Sequence, residues 1–241
     1  MCRSKLKINC TKTVCMLIGT KKMLKKCKSL NLNINNSKIS QVDNFKYLGV
    51  YIDSELCWSV HISKLCTKVS RMISFLGRLS SFIDESGLRL LYNSVIMPHF
   101  DYGDTVWHSA CKSHLDIIQK LQNRAGRIIL KVKSSENKSI SEIHDILKWD
   151  TLQSRTDKHT YSMMYKILND MAPDYLKDKF SYKSTNYFLR QGENLSLPKP
   201  NTQKCKRTFL YRGVKMYNDL PHDIRQSSSL SVFNKKITMM L

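Results

Sequence analysis

Basic side chains recur in two rows that would suit a line of phosphates. Lys64, Lys68 and Arg71 stand at i, i+4 and i+7, and Lys120, Arg124, Arg127 and Lys131 repeat the pattern further along. Side chains three and four apart share one face of a helix, so each row makes a cationic stripe. Phosphate contacts of this kind supply affinity without reading sequence. A solvated helix face would carry the same charges, but few acids interleave with these. A further cluster, Lys204, Lys206, Arg207 and Arg212, is mixed with Phe209 and Tyr211. Such rings either stack bases or pack a small core.

Other chemistries find less support. Asp101 and Asp104 in FDYGDT are spaced to share a metal ion. They serve equally as helix-capping or hydrogen-bonding groups, with Tyr102 and Trp107 in the core. The cysteines at 2, 10, 15, 27, 57, 66, 111 and 205 form no C-x-x-C pair, so zinc-ribbon spacing is absent. Cys10 and Cys15 with Cys27 or His61 can be drawn as a metal site, but reduced thiols in an intracellular protein account for them. The seven histidines are scattered, with no nucleophile–base spacing and no glycine-rich phosphate loop. No metal site is assigned.

The chain has 241 residues, 41 % of them hydrophobic, which suits a globular protein with a real core. Forty Lys and Arg against 19 Asp and Glu leave a net charge of +21. Such an excess favours a polyanionic partner, with nucleic acid expected ahead of an anionic membrane surface. No run of about 18 apolar residues marks a membrane span. Lys5 and Lys7 interrupt any signal-peptide core. An intracellular location, nucleus or cytoplasm, is the expectation.

These residues need elements to hold them. Residues 1–53 read as β-rich, with a turn at Asn36-Ser37 and alternation that predicts one strand from Phe45 to Ile52. Gly49 at its centre leaves room for another backbone to approach. From Trp58 the period becomes helical, with Val60, Ile62, Leu65, Val69, Met72, Ile73 and Leu76 near one face. Further helices are predicted from an Asp84 cap through Ile96, ending before Pro98; from about His114 to Val132; from Ser139 or Ser141 through Leu147; and from Leu152 to Met171. Residues 181–206 are polar and read as a linker. Thr208–Tyr211 reads as a strand, Gly213–Leu220 as a short helix, and Ser229 as the cap of a terminal one. The predicted class is α+β, mainly α: a β unit over 1–53, a helical bundle over 54–180, the linker over 181–206 and a small α/β unit over 207–241.

Several motifs carry a family resemblance. LKINCTKTVCMLIG followed by FKYLGVYID resembles the last two motifs of a reverse-transcriptase palm, and FKYLGV resembles the primer-grip strand of non-LTR, LINE-like retrotransposon reverse transcriptases. WSVHISKLCTKVSR (58–71) resembles the first thumb helix of jockey- and CR1-like elements. YNSVIMPHFDYGDTVW (92–107), IIQKLQNRAGRIIL (117–130), the stretch over 147–176 and TFLYRGVKMYNDLP (208–221) follow in the family's order.

The resemblance implies a palm edge, a thumb and a C-terminal extension of an RNA-directed DNA polymerase. Its partners would be RNA, DNA and the RNA–DNA template–primer duplex. Tyr47, Leu48 and Gly49 would hold the primer end, and Lys12 matches a candidate proton donor to pyrophosphate, or is an exposed turn lysine. The family's enzymes use two divalent metal ions, expected to be magnesium, held by carboxylates from an upstream strand and an Asp-Asp turn. No adjacent Asp-Asp occurs here, and FDYGDT comes after the primer-grip motif. The expectation is therefore nucleic-acid binding without catalysis or a cofactor of its own. Two alternatives remain: one piece of a longer active polymerase, or a domesticated protein-interaction remnant.

Overall fold

The computed structural model describes residues 8–10, 12–27, 30–34, 37–132, 136, 138–183 and 194–241. They divide into two compact units, Met1–Leu65 and Cys66–Leu241. The architecture is α+β and mainly α, as the periodicities predict.

The first unit contains short paired strands. Strand β1 (Val14–Cys15) precedes helix α1 (Lys21–Lys26), which is capped by Thr20. Strands β2 (Asn33–Ile34) and β3 (Ser37–Lys38) pair antiparallel, and β4 (Ser40–Gln41) runs parallel to β1. Ser37 begins the return strand as predicted, while its turn partner Asn36 lies outside the described residues. Among the described residues of the strand region only Ile39 is a buried hydrophobic; Ile18, Leu30, Leu32 and Phe45 stay exposed.

The predicted strand from Phe45 to Ile52 is instead a hairpin of β5 (Asn44–Tyr47) and β6 (Val50–Asp53), with Phe45 opposite Ile52 and Tyr47 opposite Val50. Leu48 and Gly49 form its turn with φ of 45° and 85°. Two consecutive positive φ values match the twist of a tight hairpin. Gly49 is thus spent on the turn itself, rather than on leaving space in a strand.

Helix α2 (Ser59–Leu79) starts in the first unit and continues in the second. Ile62, Leu65, Val69, Ile73 and Leu76 are buried along it. Asp84 caps α3 (Glu85–Leu91) by accepting from the Gly87 N–H, as predicted. The helix does not stop before Pro98. It widens into a π turn over Tyr92–Ile96 and continues as α4 (Met97–Asp101). The Met97 N–H reaches back five residues to the Tyr92 carbonyl. Pro98 then falls in the first turn of α4, where its missing N–H breaks no ladder bond.

After α5 (Asp104–Trp107) comes α6 (Lys112–Ile129), two or three residues short of the expected span at its C-terminal end. Helix α7 (Ile140–Leu147) has a complete Ser139–Glu142 capping box. Thr151 caps α8 (Leu152–Leu168), and α9 (Asp174–Lys177) is a single turn. Tyr92 stacks on Trp149 with ring centroids 4.1 Å apart.

The C-terminal region packs onto α8. Helices α10 (Gln203–Arg207), α11 (Phe209–Asn218), α12 (His222–Arg225) and α13 (Leu230–Met240) leave no strand among the described residues after 207. The predicted strand at Thr208–Tyr211 is therefore the start of α11, because Phe209, Gly213, Val214 and Tyr217 form a helical stripe against α8. Tyr161, Met164 and Tyr165 share one core with Val214, Tyr217, Phe233 and Ile237. Leu195, within the stretch read as a linker, is fully buried there. Its N–H and C=O both bond the Asn218 side chain, at 2.8 and 2.9 Å. No described helix is long and apolar enough to cross a membrane.

Candidate nucleic-acid interface

Burial of one face of α2 turns the other outward. Lys64, Lys68 and Arg71 are exposed opposite the apolar row. The start of the helix is fixed by Asp53, a residue that sequence reasoning did not single out. This buried carboxylate accepts from Glu55 N at 3.2 Å, Cys57 N at 2.9 Å and Trp58 N at 2.6 Å. Trp58 and Leu56 both adopt positive φ in that loop, a strain the three charge-assisted bonds offset. The Tyr51 N–H donates to His61 Nδ1 at 3.4 Å, tying β6 to α2. Burial pushes the His61 imidazole below its ordinary value, favouring the neutral ring that can accept this bond.

The same logic orders α6. Ile118, Ala125 and Ile129 are buried, while Lys120, Arg124 and Arg127 face solvent. Lys131 lies beyond the helix end, in a left-handed conformation with φ 51°. The amides of the QNRAGR motif point inward. Gln122 is fully buried and donates to the Asp150 carbonyl at 3.1 Å. Gln119 accepts from Leu152 N at 3.0 Å and donates to Gln122 and Asn123. His144 pairs with Asn123 at 3.0 Å. The motif's polar residues hold the bundle together, and its cations remain free of it. None of these basic side chains on α2 or α6, nor Lys131, makes an ion pair among the described residues.

Other candidates are placed variously. The hairpin tip projects Tyr47 (59 % exposed) and Leu48 (73 % exposed). Lys12 is exposed in a turn whose N–H bonds the Asn9 carbonyl at 3.1 Å. Lys204 and Lys206 are exposed on α10. Arg207 is half-buried and donates to the Ala110 carbonyl at 3.4 Å. Arg212 is withdrawn from that cluster, because it pairs with Asp157. Phe209 packs edge-on against Phe180 at 6.3 Å.

FDYGDT is a structural hub. Asp101 receives both Nε and Nη2 of Arg155, at 2.6 and 2.8 Å. Buried Asp104 bonds His159 Nδ1 at 2.6 Å and the Thr105 N–H at 2.7 Å. Ligand-capable atoms of Asp101, Asp104 and His159 lie within 4.8 Å of one another. A fork-shaped guanidinium already occupies Asp101, so the cluster does not fit the carboxylate pair that two metals need. Trp107 is in the core as predicted. Tyr102 is not: it is 57 % exposed, its N–H donates to the Pro98 carbonyl at 3.1 Å, and its own carbonyl accepts from Trp107 Nε1 at 2.9 Å.

No family model and no solved structure matches the chain. Curated relatives do. The chain is 28 % identical over 130 residues to the "Probable RNA-directed DNA polymerase from transposon X-element" of Drosophila melanogaster, covering 53 % of this chain and 14 % of that protein. It is 26 % identical over 160 residues to the polymerase of transposon BS from the same organism, 64 % of this chain and 17 % of the other. It is 32 % identical over 103 residues to that of mobile element jockey, 41 % and 11 % respectively. The matched part therefore spans less than a fifth of these relatives. By these likenesses the matched part of the chain is similar to the RNA-directed DNA polymerases of non-LTR retrotransposons.

Proposed function

We propose that this chain is a nucleic-acid-binding part of such a polymerase, following a template–primer duplex with the cationic faces of α2 and α6. The observation that carries the reading is that Lys64, Lys68, Arg71, Lys120, Arg124 and Arg127 face solvent without an acidic partner among the described residues. Cations left unpaired in a chain of net charge +21 are available to phosphates. The exposed Tyr47–Gly49 tip would touch the primer end. Catalysis is not assigned to this chain: it has no Asp-Asp pair, and the FDYGDT acids are held by Arg155 and His159. The test is binding to a labelled RNA–DNA primer–template across a salt series, against a matched single strand. Salt-dependent binding that favours the duplex is expected; absence of binding at low salt refutes the reading.

A second reading, that these residues work as one piece of a longer active polymerase, is favoured by the first unit. It buries few side chains and exposes Ile18, Leu30, Leu32, Phe45, Tyr47 and Leu48. Two-stranded sheets are marginal alone, so a unit built from them gains from further chain to pack against. Reading the genomic DNA upstream of Met1 for an in-frame Tyr-x-Asp-Asp turn tests it.

A further inference from the structure

The second unit contains a cavity of about 540 Å³ whose lining includes none of the stripe cations of α2 and α6. Its floor is apolar: Trp107, Leu115, Ile118 and Leu152. Three cations stand around it, Lys112, Arg207 and Arg212, against one acid in the lining, Asp116. Arg212 is already neutralised by Asp157. Arg207 and Lys112 make no ion pair among the described residues. Arg207 spends one terminal nitrogen on the Ala110 carbonyl, and its Nε is buried with no hydrogen-bond partner among the described residues. A buried charged donor without an acceptor is rare and costly. Lys112 is exposed in the first turn of α6, whose cap residue Cys111 makes no side-chain capping bond. Positive charge and an unfilled buried donor therefore line the same cavity as these apolar side chains.

We propose that this cavity takes a single unpaired nucleotide, its base on the floor of Trp107, Leu115, Ile118 and Leu152 and its phosphate on Arg207 and Lys112. The volume lies inside the range of about 300–1,000 Å³ in which small ligands are bound. Apart from the exposed Asp116, the polar side chains in the lining are largely spent within the protein. Gln153 faces His108 at 2.7 Å and donates to Asp157, and Gln119 is committed to Leu152, Gln122 and Asn123. Little is left to read a base edge, so the site discriminates weakly between bases. The proposal rests on the nucleic-acid reading for its class of ligand and adds where an unpaired residue beside a duplex would go.

The test uses the full chain with dAMP, dCMP, inorganic phosphate, a blunt RNA–DNA duplex and the same duplex with a single-stranded extension. dAMP and dCMP are expected to bind alike, and phosphate alone far more weakly. The extension should improve duplex binding, with dAMP competing for the gain if the nucleotide comes from a strand. Arg207→Gln should weaken dAMP by about tenfold or more and abolish the gain from the extension. Lys112→Gln, an exposed change that leaves the core alone, should act in the same direction. Arg124→Gln should weaken both duplexes and leave dAMP untouched. Blunt-duplex binding without any binding of dAMP or gain from the extension overturns the cavity proposal and leaves the duplex reading standing. Arg207-dependent dAMP binding without duplex binding supports the cavity and refutes the duplex reading. Binding of dAMP that ignores both substitutions overturns the proposed site.

Discussion

Neutralising the α6 stripe should change the salt dependence of duplex binding by a calculable amount. Six exposed cations that make no ion pair among the described residues form the two stripes: Lys64, Lys68 and Arg71 on α2, and Lys120, Arg124 and Arg127 on α6. Lys131 is left out because its backbone departs from the helix. At about 0.9 counterions released per phosphate contact, six contacts give a slope of log K against log salt near −5. Raising salt from about 50 to 200 mM then costs roughly 10³ in affinity. The triple variant Lys120→Gln, Arg124→Gln, Arg127→Gln removes three contacts, and its slope should fall to roughly −2.7. The same salt step would then cost it only about 40-fold. Lys, Arg and Gln have similar helix propensities, so the fold should survive. Circular dichroism checks that, and fluorescence anisotropy of a labelled RNA–DNA duplex at four or more salt concentrations gives the slopes. A wild-type slope near zero, or a triple variant with the wild-type slope, refutes the reasoning.

Two glycines should respond with opposite signs. A Cβ at Gly126 would lie 2.8 Å from Ile143 Cγ2 and 3.3 Å from Leu147 Cδ1, both on buried residues, so Gly126→Ala should destabilise by about 1–3 kcal/mol. At Gly77 the nearest atom is Ile128 Cδ1 at 3.6 Å, and Gly77→Ala should stabilise by up to about 1 kcal/mol; thermal unfolding of both variants reads the signs. The Cys111 thiol is held low chiefly by its hydrogen bond to Ser113, whereas burial pushes Cys66 up. Iodoacetamide near neutral pH should therefore label Cys111 before Cys66, read by peptide mass mapping. His159 is held above its ordinary value, first by its hydrogen bond to Asp104. A raised folded value means the extra stability is complete below about pH 6.5 and is lost as pH rises through the folded value. His159→Gln should accordingly cost more stability at pH 5.5 than at pH 8.5, and equal costs in urea titrations would refute this.

The long helices were legible because burial imposes a period on them. The apolar rows of α2 and α6, and the caps at Asp84, Ser139 and Ser229, are local signals that packing had no reason to override. The hairpin at Tyr47–Val50 was not legible, since a Leu-Gly turn lacks the Asn or Asp that usually marks positive φ. Pro98 misled for a related reason: a π turn just before it shifts the ladder so that no bond is lost. In the candidate interface the outward cations could be read from spacing. Asp53 could not, because its three backbone partners lie in a loop with no periodic pattern. The amides of Gln119 and Gln122 carried a signal, polar side chains on the inward face of a helix, that only a buried network explains.

The core shared by α8 and the C-terminal helices imposes a delay during synthesis. Met164 is fully buried, and Phe233 and Ile237 are among the residues that share its core. Ile237 is made 73 residues after Met164 (237 − 164). At translation rates of about 5–20 residues per second, the interval is on the order of 4–15 s. Throughout it, the apolar face of α8 has emerged or is emerging without its cover. A ribosome stalled between these points holds a sticky, half-built helix bundle, and a chaperone that shields apolar helices would act on this chain within that window.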